Sequence, residues 1–126
     1  FFPYLKGAVE ELVRDGFTPR LHCDADWVPF LEYFLELPKR RCVLELGRTT
    51  SIRRAREILG GHMCLYGDVP RDLLSSGSAA KVETYVAKLI GDVGRDGFIL
   101  ANDDIVPHNA KFENVKMLID AGKKYG

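Results

Sequence analysis

The stretch Arg41-Cys42-Val43-Leu44-Glu45-Leu46, then Thr50-Ser51, Ile52 to Leu59, Gly60-Gly61 and His62-Met63-Cys64-Leu65-Tyr66-Gly67, decides the fold. Two short apolar runs flank a segment that has a hydroxyl cap at its start and a glycine pair at its end. This is strand, helix, strand, the unit that makes neighbouring strands parallel. The pattern recurs on both sides. Upstream, Phe17 to Asp24 reads as a strand interrupted by Pro19, and Asp26 caps a helix carrying Trp27, Phe30, Leu31, Phe34 and Leu35, stopped by Pro38. Before it, Pro3 opens a helix with Leu5, Val9, Leu12 and Val13 on one side, ended at Asp15-Gly16. Downstream, Gly67-Asp68-Val69-Pro70 leads through an apolar turn at Leu73-Leu74 to Ser78, which caps Ala79 to Val93. Phe98 to Ala101 is a fourth strand, and a last helix, capped by Asn109, carries Phe112, Val115, Leu118 and Ile119 inward.

Each strand is a nearly continuous apolar run, as expected for parallel strands covered on both faces. The expected class is α/β, with four parallel strands alternating with helices. A complete (β/α)₈ barrel takes typically about 250 residues, so residues 1–126 fit a single (β/α)₄ half of one. Two edge strands would then lack partners, and either a missing N-terminal half or a second copy in a homodimer would cover them. The chain opens directly into a helix without an initiator methionine, and a piece of a longer protein is the expectation. An open doubly wound sheet is the competing architecture. It lacks support, because no Gly-x-Gly-x-x-Gly or Gly-Lys-Ser/Thr phosphate motif is present.

The 18 basic and 18 acidic residues balance and are interspersed, so no basic stripe for nucleic acid exists. No apolar run approaches the roughly 20 residues that span a bilayer, and no membrane role is expected. Cys23, Cys42 and Cys64 are odd in number and lack Cys-x-x-Cys spacing. A reducing, cytoplasmic setting fits better than a disulfide framework.

Parallel β/α proteins build their sites where the strands end, which directs attention to His22, Asp24, Glu45, Cys64, Asp103 and Asp104. His22 and Asp24 share one side of their strand, and Cys23 faces the other. Asp24, Cys64 and Asp104, with His22, would supply oxygen, sulfur and nitrogen ligands suited to zinc with an open position. Glu45 and Asp103 are the remaining carboxylates for acid/base work. Each also has an ordinary reading: a helix cap for the aspartates, a packed histidine, a buried inert thiol, a solvated turn at Asn102-Asp103-Asp104. Arg48, Arg53, Arg54 and Arg56 cluster around one helix start, and a solvated face is their default.

The ordered set Leu21-His22-Cys23-Asp24, Gly67-Asp68-Val69-Pro70 with Leu73-Leu74 and Gly77, and Gly97 to Ala101 with Pro107 and Glu113-Asn114-Val115 resembles the C-terminal half of the uroporphyrinogen decarboxylase superfamily. That resemblance implies a TIM-barrel fold and either porphyrinogen decarboxylation or cobalamin-dependent methyl transfer. The decarboxylase loop after the last strand has a histidine where this chain has Asp104, which disfavours tetrapyrrole decarboxylation. His62-Met63-Cys64 before Gly-Asp-Val-Pro looks like the corrinoid demethylase subgroup, in which a cysteine on this strand ligates metal. Asp24 and Asp104 stand where that branch commonly has cysteines. The implied activity is methyl transfer between a small methylated substrate and a corrinoid on a partner protein, assisted by zinc. A decarboxylase of porphyrin biosynthesis and a catalytically silent fragment that associates through its strand edges are the alternatives.

Overall fold

A computed structural model describes residues 1–126. Helix α1 (Phe2–Arg14) precedes strand β1 (Arg20–Cys23), a 3₁₀ segment (Val28–Glu36), β2 (Val43–Leu46), α2 (Ile52–Leu59) and β3 (Cys64–Val69). The short helix α3 (Arg71–Ser76), α4 (Ala79–Val93), β4 (Phe98–Asn102) and α5 (Phe112–Tyr125) complete the chain. The four strands form one sheet in the order β1-β2-β3-β4, every pair parallel. This is the expected α/β architecture of four consecutive units, with β1 and β4 each paired on one side only.

Register divides the sheet into two unlike faces. Leu44, Leu46, Leu65 and Val69 lie on one face and are fully buried against the helices, together with Ile52, Ala55, Val82, Val86 and Leu89. Alternate positions lie on the other: Arg20 is opposite Val43, His22 opposite Glu45, Glu45 opposite Tyr66, and Tyr66 opposite Ile99. That second face carries no helix layer, and Arg20, His22 and Ile99 are exposed on it. The expectation of helices over both faces is corrected accordingly. The physical reason lies in the alternation itself, since Arg20, His22, Glu45 and Tyr66 interrupt the apolar runs every second residue.

Caps and loops follow the local chemistry with two exceptions. Ser51 accepts a hydrogen bond from Arg54 N at 3.3 Å, Ser78 from Lys81 N at 3.4 Å, and Asp26 Oδ1 from Val28 N at 3.0 Å. The segment after Asp26 is 3₁₀ rather than α, with Leu31 and Phe34, three apart, as its buried residues. The last helix starts from Lys111 rather than Asn109, with no side-chain cap. The turn at Leu73-Leu74 is helix α3, and α5 ties it down. Buried Asn114 donates from Nδ2 to the carbonyls of Leu73, Leu74 and Gly77 at 3.3, 3.1 and 3.0 Å, which also accept from Gly77 N, Lys111 N and Lys111 Nζ respectively. Gly77 is required there, because a Cβ would sit 2.4 Å from Leu73 O.

Candidate active site at the strand ends

β1 and β2 run side by side in register, so His22 near the end of β1 stands beside Glu45 of β2. His22 Nδ1 is 3.2 Å from Glu45 Oε2, and His22 Nε2 is 3.3 Å from Asp24 Oδ1. Arg20, two residues back on the same face, places Nε 3.3 Å from the same Glu45 oxygen. Its guanidinium lies over the Tyr66 ring at 5.4 Å from the centroid. Glu45 is buried and has no well-aligned donor on Oε2, so its charge is met by the nearness of the Arg20 guanidinium and, when protonated, of the His22 imidazole. Interaction with Glu45 raises the His22 pKa above the ordinary histidine value; burial pulls the other way, and Asp24 adds to the rise. The result is an imidazole held between two carboxylates, about half exposed on the open face, with both ring nitrogens oriented.

The other candidates fall elsewhere. Asp103 is buried; its Oδ1 accepts from Arg71 N at 3.2 Å, and its Oδ2 lies 4.0 Å from Arg48 Nε without a hydrogen-bond partner. It anchors the start of α3. Asp104 pairs with Arg71 Nη1 at 3.0 Å on the surface. Asp68, not singled out in the sequence for chemistry, accepts a hydrogen bond from Tyr85 OH at 3.0 Å, and burial raises its pKa.

Cys64 is the first residue of β3, opposite Val43, and therefore lies at the N-terminal edge of the sheet. It lines a cleft of about 480 Å³ with Thr18, Arg40, Cys42, Asp96 and Gly97. Its level in the sheet is that of Gly97, and Asn102 at the end of β4 is five residues, about 16 Å of strand, further on. Asp104 follows beyond that end. The structure thus brings His22, Asp24 and Glu45 together and keeps Cys64 and Asp104 apart from them. No group of three or more His, Cys, Asp or Glu side chains is arranged to hold a metal ion, and the four residues His22, Asp24, Cys64 and Asp104 do not fit zinc as a set. Burial raises the Cys64 thiol pKa, opposed by Arg56, and pushes Cys23 up to about 11. Arg20 went unnoticed in the sequence. The signal was available, because it precedes His22 by two in a strand and so shares its face.

No helix is long and apolar enough to cross a membrane. Four consecutive parallel β/α units with polar side chains on the uncovered sheet face are the α/β arrangement found in part of a β/α barrel. The family model for uroporphyrinogen decarboxylase (URO-D) matches residues 1–125, and the chain belongs to that family. A search of curated proteins gave no match.

Proposed function

We propose that these residues form one wall of a URO-D-family barrel enzyme that transfers a methyl group from a small substrate to a corrinoid on a partner protein, with His22 as proton donor. The observation that carries the reading is the His22 imidazole between Glu45 and Asp24 on the open face. An oxygen, sulfur or nitrogen that loses its methyl group as an anion is a poor leaving group until it receives a proton. A histidine whose pKa is raised by neighbouring carboxylates keeps its proton at higher pH and can supply one. Glu45 orients the ring through Nδ1 and balances its charge, leaving the Asp24 side to face the substrate. The corrinoid would supply the methyl-accepting centre.

The open sheet face and the half-paired β1 and β4 support reading the chain as half of a barrel completed by further strands or by a second copy. Methyl transfer is favoured over decarboxylation by Asn102-Asp103-Asp104, which lacks the histidine and glycines of the decarboxylase loop. In a decarboxylase the same imidazolium would instead protonate the carbon that loses carbon dioxide. The test uses the complete barrel with a reduced corrinoid protein, offered methylated small molecules in one assay and uroporphyrinogen in another. Substrate-dependent change in corrinoid absorbance supports the proposal. Porphyrinogen turnover without corrinoid overturns it in favour of decarboxylation, and inactivity of the complete barrel in both assays overturns it in favour of a catalytically silent protein.

A further inference from the structure

Asp24 pairs with His22 although it lies outside β1, in the turn Asp24-Ala25-Asp26 that follows the strand. Its side chain is 80% exposed, so burial does not hold it there. The hold comes from the turn after β2, residues Gly47 to Thr50. The two strands continue their ladder one step past Leu46, because Gly47 N donates to Cys23 O at 2.9 Å. Thr50 N then donates to Gly47 O at 3.1 Å and closes the second turn. The Thr50 hydroxyl, on a side chain buried at 1% exposure, reaches across to the first turn: Oγ1 donates to Ala25 O and accepts from Trp27 N, both at 2.9 Å. Between those two contacts Ala25 is held at φ 66°, a backbone region uncommon for residues with side chains. Such a conformation persists only where its surroundings fix it. Every one of these links joins β1 to β2, and none crosses the unpaired edge of β1.

Gly47 supplies the second half of the arrangement. Its φ lies outside the left-handed region, so the backbone conformation does not demand glycine. A Cβ there would stand 3.4 Å from Asp24 Oδ1 and 3.5 Å from Asp24 Cα. That oxygen is the one 3.3 Å from His22 Nε2. The carboxylate therefore lies over the bare Cα of Gly47, and a branched side chain at this position would occupy the space from which Asp24 reaches the imidazole.

We infer that Gly47 and Thr50 are positioning residues of the site: the buried hydroxyl fixes the turn that carries Asp24, and the missing side chain lets its carboxylate lie against His22. The inference rests on the reading of the His22 cluster as the active site and adds to it two residues that act through Asp24.

The test is the crystal structure and the methyl-transfer kinetics of the complete barrel carrying Thr50→Val, Thr50→Ser or Gly47→Val. Thr50→Val keeps the shape of the side chain and loses the hydroxyl, Thr50→Ser keeps the hydroxyl, and Gly47→Val leaves every hydrogen-bonding group of the turn in place. Each valine variant should carry Asp24 Oδ1 beyond hydrogen-bond reach of His22 Nε2, about 3.5 Å. Each should also lower kcat roughly 10-fold or more with KM little changed. Thr50→Ser should keep both the contact and the rate. On an Asp24→Asn background neither valine substitution should lower kcat further, because the charge it displaces is already gone. Retention of the contact between His22 and Asp24 in either valine variant, or an equal further loss of kcat on the Asp24→Asn background, overturns the inference. The contact is read without turnover. Its loss in the variants of a barrel that moves no methyl group contradicts the proposed reaction alone, and its retention in a barrel that moves methyl groups contradicts this inference alone.

Discussion

Replacing Glu45 with glutamine keeps the shape of the side chain and removes the charge that faces both His22 and Arg20. Those contacts are 3.2 and 3.3 Å, and the two partners are 45% and 58% exposed. Solvent therefore screens them almost as bulk water does, and Coulomb's law gives about 1 kcal/mol for each contact. The His22 pKa is raised chiefly by Glu45, so the variant should titrate its imidazole at lower pH than wild type. The sign for stability follows from the same shift. A histidine whose folded pKa exceeds its unfolded value of about 6.5 contributes stability that is complete below that value and is lost as pH rises through the folded pKa. The Glu45→Gln penalty should thus be larger near pH 6 than near pH 9. Nitrogen-resolved NMR titration of the three histidines provides the assay. His62, whose Nε2 lies 2.9 Å from Leu37 O on another part of the chain, serves as internal control. An unchanged His22 midpoint in Glu45→Gln, or a shift of equal size at His62, would refute the coupling.

Asn114→Ala removes the buried amide that joins α5 to the end of α3, whose carbonyls keep their other donors; denaturant titration should record a loss of about 1–3 kcal/mol. Leu44→Ala, at a fully buried sheet position, should cost about 2–5 kcal/mol in the same experiment. Thiol labelling near pH 8 should modify Cys64 before buried Cys23, whose pKa is about 11; labelling of Cys23 first would contradict the assigned faces of β1 and β3.

The four strands, their order of appearance and most caps were legible because each depends on nearby residues: Ser51, Asp26, Ser78, the Gly60-Gly61 stop. What escaped depended on period or on distant partners. The nine residues Val28–Glu36 are too short and too apolar to separate a 3.6 period from a 3.0 period, and in the fold Leu31 and Phe34 are buried at the latter spacing. His22 with Asp24 followed from alternation within one strand, whereas the contact of His22 with Glu45 needed the register between β1 and β2. Cys64 was placed with the strand ends by residue type. Register puts it opposite Val43, two residues before Glu45, and so at the far edge of the sheet.

The most direct test of His22 as the proton donor is the rate of methyl transfer to a corrinoid protein by the complete barrel, for wild type and His22→Gln, across pH 6 to 9. The wild-type rate should fall as pH rises through the raised His22 pKa, and the variant should lose roughly 100-fold or more at neutral pH together with that pH dependence. A His22→Gln enzyme with the wild-type rate and pH profile would contradict the account.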